Sequence, residues 1–464
     1  MKTLTHRTLS FSSIVLLTVL LTFALGATAA AQSHLTGTLP DGATYVIDVP
    51  ANWNGTLLLY SHGYVFPGGA NPAQDVGDGI TATYVFGAGY ALAGSSYAST
   101  DWAVKEAIPD QIAVLDAFKT RVGTPTTTIA WGHSMGGMIS AALVQQFPTR
   151  FNGALPMCGI VAGAVGQWNQ WLDGAFVFNT LLAGGTLQLV HITNPNNFAN
   201  AETILGAAQG TPQGRARLAL AAAFTDTPGW ADPSLPEPAP TDYTTRQVNQ
   251  FLWLANGEFP LMFAFRAELE ARAGGNPSWN TGVNYATLLK KSNSLAEVQA
   301  LYAAAGLSLD ADLATLKGAK RISADAAAKT YLTQNVTYNG QITVPVLTLH
   351  TTADGGVNVE NEKAYSTTVH TAGNTLLLKE TFVHRAGHCE FTPAETIAAL
   401  QKLATRVTTG KWKAITPASM NSAATALGPG YNVLFLNNQL VPVAPEFEKF
   451  TPLNFLRPFD AFSN

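Results

Sequence analysis

Apolar runs alternate with amphipathic stretches along the first 160 residues. Runs typical of strands covered on both faces span residues 56–60, 90–94, 126–130 and 154–160. Between them, apolar residues three or four apart predict helices, one with Pro109 as its first residue and one over residues 138–147. A Pro-Asp-Gly turn before residues 45–49 predicts an opening hairpin. This alternation predicts an α/β fold with a mainly parallel sheet.

The alternation stops after about residue 160. Residues 161–340 are rich in alanine, leucine and aromatic side chains and carry few strand signals, which predicts a mostly helical cap inserted between late strands. Strand patterns resume at residues 344–349 and 376–383, and Thr392 with Glu395 forms the capping box of a last helix. We assign residues 32–160 and 341–412 to an α/β core, 161–340 to the cap, and 413–464 to a C-terminal surface extension.

The N-terminus carries the pattern of a secretory signal peptide. Lys2 and Arg7 precede an apolar run over residues 11–25, and small residues at 27–31 offer cleavage sites. We therefore expect residues 1–31 to be removed and the protein to be secreted, extracellular or periplasmic, without a stable membrane span. Charged residues make up 12% of the chain and the net charge is −4, which disfavours nucleic-acid binding.

A strand pattern gives way to a helix pattern at Trp131-Gly132-His133-Ser134-Met135-Gly136-Gly137. A Gly-x-Ser-x-Gly sequence in that setting predicts a strained turn that exposes the serine, with glycines where side chains would strike neighbouring backbone. A phosphate-binding loop would need Lys before its hydroxyl residue, and His133 stands there instead. Ser134 is therefore the predicted nucleophile.

A serine hydroxyl needs a base within hydrogen-bond reach and an acid that orients the base. Asp354 follows a late strand and precedes two glycines, so it is the predicted acid, with Asp173 as the competing candidate. His388, in the loop after the last strand, is the predicted base, with His384 as its competitor. Gly387 and the absence of Glu between these histidines disfavour a zinc-binding helix, and we expect no metal or other cofactor.

The tetrahedral oxyanion needs two backbone N–H donors. Met135, directly after the nucleophile, is predicted to supply one of them. Tyr64 is predicted to supply the other, because His62-Gly63 lets the loop after the strand at 56–60 turn in closely.

A resemblance to the α/β-hydrolase superfamily rests on four segments. They are Ser61-His62-Gly63-Tyr64, Gly132-His133-Ser134-Met135-Gly136-Gly137, Asp354 and Gly387-His388. The chain order Ser, Asp, His is the order of that family, and the resemblance covers about residues 45–412. It implies a Ser-His-Asp acyl-enzyme mechanism, as in esterases and lipases with a helical cap, and leaves the substrate open.

Both cysteines of the sequence, Cys158 and Cys389, are expected near the catalytic edge of the sheet. A disulfide between them would tie the His388 loop to the sheet, and two buried free thiols are the alternative.

Hydrophobic acyl or aryl esters are the predicted substrates, either small molecules, lipids or polyesters. Nine cap aromatics with few charges around them fit an apolar cleft roof, or equally the core of the cap itself. They are Trp168, Trp171, Phe176, Phe178, Phe251, Trp253, Phe259, Phe263 and Phe265. One alternative is an aminopeptidase-type peptidase or amidase that holds a substrate ammonium through Glu258, Glu268 or Glu270. The other is a non-catalytic binding protein on the same fold, and the oligomeric state stays open.

Overall fold

The computed structural model describes residues 31–457 of the 464-residue chain. Its strands are β1 (Ala31–Thr38), β2 (Thr44–Pro50), β3 (Thr56–Ser61), β4 (Ala91–Ser95), β5 (Thr127–His133), β6 (Gly153–Met157), β7 (Val346–Ala353), β8 (Leu378–Ala386), β9 (Val433–Leu436), β10 (Gln439–Pro442) and β11 (Phe447–Glu448). Its helices are α1 (Gly79–Gly87), α2 (Val104–Arg121), α3 (Met135–Gln146), α4 (Ala164–Leu181), α5 (Asn197–Gln209), α6 (Pro212–Thr225), α7 (Tyr243–Trp253), α8 (Arg266–Ala273), α9 (Tyr285–Leu289), α10 (Leu295–Ala304), α11 (Leu309–Gly318), α12 (Ala326–Asn335), α13 (Glu360–Thr371), α14 (Pro393–Thr409) and α15 (Pro417–Thr425). Two π-helical turns, Leu254–Glu258 and Leu261–Phe265, follow α7, and a 3-10 turn, Thr375–Leu377, precedes β8.

Nine of these strands form one sheet in the order β1-β2-β4-β3-β5-β6-β7-β8-β11. The six neighbours from β4 to β8 in that order run parallel, whereas β1, β2 and β11 pair antiparallel with their neighbours. The prediction of an α/β fold with a mainly parallel sheet is confirmed. Because parallel strands end at the same edge, the loops after β3, β5, β7 and β8 meet there.

The sheet is buried on both faces, as its apolar runs predict. Successive residues of β3 enter opposite cores: Leu57 and Leu59 pack into one hydrophobic cluster, and Leu58 and Tyr60 into the other. Helix α14 covers one of these faces and begins at the predicted capping box, in which the Thr392 and Glu395 side chains cap each other's backbone.

The chain between β6 and β7 consists of helices α4 to α12 and the two π-helical turns. Of the nine cap aromatics named above, six are at most 3% exposed and lie in the core of this helical layer. They are Trp168, Trp171, Phe176, Phe178, Phe259 and Phe263. Phe251, Trp253 and Phe265 are only partly buried. Most of the aromatic side chains therefore stabilise the cap and do not roof a cleft.

Two parts of the sequence interpretation need correction. Helix α2 does not begin at Pro109 but at Val104, because Val104, Ala107 and Ile108 are buried and extend its apolar face toward the N-terminus. The C-terminal extension also does more than cover a surface, since β11 adds an edge strand beside β8 and Phe447 and Phe455 are buried.

The predicted signal peptide, residues 1–31, lies outside the described residues except for Ala31, which begins β1. Among residues 31–457, no helix combines the length and apolar character needed to cross a membrane.

Candidate active site

Ser134 stands at the turn from β5 to α3, with a φ of 58° and a ψ of −124°. A Cβ atom on Gly132 or Gly136 would overlap the carbonyl oxygen of Ser61, so only glycine fits at either position. Helix α3 begins at Met135, directly after this strained residue. The sequence therefore forms the strand-turn-helix that holds a serine hydroxyl clear of the sheet edge.

The ring of His388 bridges Ser134 and Asp354. Its Nε2 lies 2.8 Å from Ser134 Oγ and its Nδ1 lies 2.7 Å from Asp354 Oδ2. Asp354 directly follows β7, and His388 lies in the loop between β8 and α14. The structure thus brings together three side chains that the sequence separates by up to 254 positions.

Asp354 is buried, yet its surroundings favour the ionised carboxylate. Burial acts to raise its pKa, but the neighbouring imidazoles of His388 and His350 outweigh burial and lower the pKa to about 2. Its Oδ1 accepts backbone N–H groups from Gly356 at 2.8 Å and Val357 at 2.9 Å. The carboxylate is therefore fixed on both oxygens and available to an imidazolium at position 388.

The two competing candidates lie in other networks. Asp173, in α4, accepts the Tyr285 hydroxyl at 2.8 Å and the Arg457 guanidinium at 2.9 Å. His384, in β8, has Nδ1 3.2 Å from Glu448 and Nε2 3.4 Å from Glu237. Neither contact set includes a member of the Ser134, His388 and Asp354 cluster.

The loop after β3 passes close to Ser134. A Cβ atom on Gly63 would lie 3.3 Å from Ser134 Cβ, which places the backbone before Tyr64 against Ser134. His62 supports this loop, with its Nδ1 and Nε2 at 2.8 and 3.1 Å from the carbonyl oxygens of Gly63 and Ser96. Tyr97 stacks on the His62 ring at 3.9 Å and donates its hydroxyl to the His62 carbonyl.

Cys158 and Cys389 are disulfide-bonded, so the end of β6 is joined to the residue after His388. Cys389 Sγ lies 3.5 Å from His388 Nε2. Within residues 31–457 these two sulfurs and the His388 ring form the one close group of three metal-ligand side chains. Because the sulfurs are bonded to each other, they are not thiolate ligands.

Sequence reasoning missed two ionisable residues that lie behind Asp354 as seen from His388. His350 lies inside β7, which the apolar pattern ended one residue earlier, and its Nε2 is 3.5 Å from Asp354 Oδ2. Glu362, in α13, lies 3.0 Å from His350 Nδ1. A histidine inside an otherwise apolar strand, four residues before the predicted acid, is the signal that could have pointed to them.

This fold and site define a serine hydrolase of the α/β-hydrolase superfamily. Residues 84–169, which include Ser134, match the sequence profile of the prolyl oligopeptidase family. The chain is also 31% identical over 438 residues to the o-phthalyl amidase of Xanthobacter agilis, a match that covers 86% of this chain and 93% of the amidase. The chain belongs to the same family of hydrolases as that amidase.

Two solved esterase structures are also similar. An esterase from Aspergillus oryzae shares 16% identity at a TM-score of 0.41, over 82% of this chain and 79% of the esterase. A rice cell wall degrading esterase from Xanthomonas oryzae shares 13% identity at a TM-score of 0.36, over 82% and 89% of the two chains. Both TM-scores are low, so the strand order and the related amidase carry the assignment.

Proposed function

We propose that this protein hydrolyses carboxylic esters of hydrophobic or aromatic acids through an acyl-enzyme formed on Ser134. The position of the His388 ring, in hydrogen-bond contact with both Ser134 and Asp354, carries this proposal. His388 takes the Ser134 proton as the oxygen attacks the acyl carbonyl, and then delivers that proton to the leaving alcohol. Water activated by the same ring releases the acid, while Asp354 stabilises the imidazolium.

Two backbone N–H groups complete the proposed mechanism. Met135 begins α3, where the first N–H groups of a helix have no partner within the helix and favour negative charge. Tyr64 follows Gly63, whose backbone lies against Ser134. We assign the N–H groups of these two residues to the oxyanion, where each such donor contributes roughly 3 kcal/mol to transition-state stabilisation.

Aromatic side chains beside the loop after β3 support an apolar or aryl acyl group. Phe66 is 52% exposed, and its ring centroid lies 5.4 Å from Tyr64 and 5.3 Å from Phe265 of the cap. Trp253, also from the cap, packs against Gly355 beside the catalytic acid. These rings offer flat apolar surfaces close to the proposed acyl site.

An amide of an aromatic acid is the second candidate substrate, because the related enzyme of 31% identity is an o-phthalyl amidase. The same serine machinery cleaves both bonds, but an alkoxide leaves more readily than an amine. An enzyme that cleaves an aryl amide should therefore also cleave the matching ester, whereas the reverse does not follow.

The aminopeptidase alternative receives no support from the three glutamates that it needs. Glu258 is buried and accepts the Thr227 hydroxyl, and burial raises its pKa to about 7. Glu268 pairs with Arg272, and Glu270 pairs with the buried Arg266. All three carboxylates already have partners within the chain.

Secretion remains part of the proposal. The signal-like pattern at residues 1–31 supports it, and a disulfide is typical of proteins in oxidising compartments. Expression of the full chain should yield a mature protein in the periplasm or medium, and N-terminal sequencing that finds Met1 on the exported protein would contradict a cleaved signal.

The decisive experiment compares p-nitrophenyl esters of graded acyl length, one o-phthalyl ester and its matched o-phthalyl amide. We expect an acyl-enzyme burst with esters, covalent labelling of Ser134 by a fluorophosphonate, and loss of both in Ser134→Ala. An amide turned over as fast as its matched ester would favour the second candidate. A wild-type protein that neither reacts with the fluorophosphonate nor cleaves any of these substrates would leave only the binding function.

A further inference from the structure

His350 is a buried histidine that contacts an acceptor with each ring nitrogen. Its Nε2 lies 2.8 Å from the Val357 carbonyl oxygen, and its Nδ1 lies 3.0 Å from Glu362 Oε1. A carbonyl oxygen only accepts, so Nε2 must carry a proton. The proton between Nδ1 and Glu362 also belongs on the ring, because imidazole is a stronger base than a carboxylate. Both nitrogens therefore donate, and His350 is an imidazolium.

The charge at position 350 lies between two buried carboxylates. Asp354 Oδ2 is 3.5 Å from His350 Nε2, and this same oxygen receives the His388 Nδ1 contact at 2.7 Å. Glu362 Oε2 has no hydrogen-bond partner among residues 31–457, so His350 is the group that holds this carboxylate. Buried charges are tolerated when they are paired in this way.

We propose that His350 is a positioning residue for catalysis, which balances Glu362 and keeps Asp354 ionised and directed at His388. The inference rests on the proposed function, since it assigns Asp354 as the catalytic acid. With His350 charged, the three buried groups His350, Glu362 and Asp354 carry one net negative charge, which the His388 imidazolium neutralises as the reaction proceeds. Without that charge they carry two negative charges, and Asp354 loses a neighbour that lowers its pKa and keeps it ionised.

Two further glutamates near Glu362, namely Glu360 and Glu380, have pKa values above the ordinary value. Glu360 precedes Glu362 in α13, and burial together with Asp226 raises the pKa of Glu360. Burial and the nearby Glu362 raise the pKa of Glu380, on β8, to about 7. The imidazolium of His350 acts against the rise in pKa at Glu360. Lys363 and Lys379 act against the rise in pKa at Glu380. Burial acts to lower the pKa of His350, but the hydrogen bonds to Asp354 and Glu362 and the charges of these two groups outweigh burial and raise the pKa to about 10.

We expect two substitutions to shift the acid limb of the plot of kcat/KM against pH in opposite directions. His350→Gln keeps a donor for the Val357 carbonyl but removes the charge, so the limb should move to higher pH by about one unit. The same variant should lower kcat about 10- to 100-fold with little change in KM. Glu362→Gln removes the opposing charge, so the limb should move to lower pH.

His370→Gln is the matched control, because His370 lies exposed in the same helix as Glu362 and its Nδ1 contacts the Thr375 hydroxyl. We expect its profile to match the wild type. A folded His350→Gln protein with wild-type kcat and an unmoved limb would overturn the inference. If His350→Gln does not fold, an unmoved or upward limb in Glu362→Gln overturns it.

Ser134→Ala separates this inference from the proposed function. An inactive Ser134→Ala protein beside an unperturbed His350→Gln protein rejects only the role of His350. An active Ser134→Ala protein rejects the proposed function itself, whatever the profiles of the other variants show.

Discussion

Removal of the disulfide should cost much stability and little catalysis. The perturbation is Cys158→Ala combined with Cys389→Ala, which avoids leaving one thiol beside the His388 ring. The bond closes a loop of 231 residues that begins at the end of β6. It ends at Cys389 in the base loop, which is the segment 387–392 between β8 and α14 that contains His388. Loss of the bond raises the conformational entropy of the unfolded chain, which lowers stability. It also removes the covalent link between the base loop and the sheet, which has a smaller effect on kcat.

The stability term follows from the loop length. A closed loop of 231 residues corresponds to about 5 kcal/mol of chain entropy at 25 °C, an upper value since measured effects are usually smaller. The entropy of unfolding is proportional to chain length. For about 430 residues, a loss of about 5 kcal/mol of stability therefore lowers Tm by about 5 °C.

The catalytic term is smaller because hydrogen bonds still hold the base loop. Gly387 donates its N–H to Ala353 at 3.1 Å and accepts the Thr351 hydroxyl at 2.7 Å. On the other side of His388, Arg385 donates to the Glu390 carbonyl at 2.9 Å. We therefore expect kcat to fall by about tenfold or less, which is about 1.4 kcal/mol of barrier.

The assay combines thermal unfolding at one scan rate with ester hydrolysis at a temperature where both proteins are folded. Wild type treated with a phosphine reductant should reproduce the lowered Tm, and the double variant should not respond to the reductant. An unchanged Tm would refute the entropic estimate. A loss of kcat beyond 100-fold in the folded variant would show that the hydrogen bonds do not hold His388.

Three further substitutions test the site and its surroundings. Asp354→Asn should lower kcat about 10⁴-fold on a p-nitrophenyl ester because a neutral amide cannot stabilise the imidazolium; a loss below tenfold would contradict its role. Gly63→Ala puts a methyl group 3.3 Å from Ser134 Cβ and should lower kcat about tenfold at unchanged Tm, whereas Gly79→Ala, which meets open space, should change neither. Glu258 has its pKa raised by burial from 4.5 to about 7, so the folded state binds its proton more tightly and loses up to about 3 kcal/mol as pH rises through that interval. Glu258→Gln should therefore flatten the fall of Tm between pH 4.5 and 7, and an equally steep fall in both proteins would rule this out.

Local rules sufficed for the features that depend on neighbouring residues. The turn at Ser134 is predictable because only glycine fits at positions 132 and 136 beside the Ser61 carbonyl. The fold class is predictable because apolar runs alternate with helical patterns. The place of Asp354 and His388 after late strands predicts both of them, and the structure brings His388 to Ser134 and Asp354 to His388.

Long-range packing decided what the sequence did not indicate. No local pattern links Glu362 to His350, because their contact depends on how α13 packs against β7. β11 has two residues, too few for an alternating pattern, and it exists because the edge of β8 offers it partners. Helix α2 continues through Pro109 since burial of the preceding turn outweighs one missing hydrogen bond.

The strand order explains why the base loop needs a covalent tie at this particular place. β7 and β6 lie between β8, which leads into the base loop, and β5, which leads to Ser134. Three strand spacings of about 4.8 Å separate the ends of β8 and β5, or roughly 14 Å, more than one histidine side chain spans. The base loop must therefore extend past the ends of β7 and β6. The disulfide to Cys158 holds the loop at the end of β6, beside Ser134. Asp354, by contrast, directly follows the neighbouring strand β7 and needs no such reach. Without the disulfide, contact with Ser134 should weaken before contact with Asp354 does, so kcat should fall while the acid limb of the pH profile stays in place.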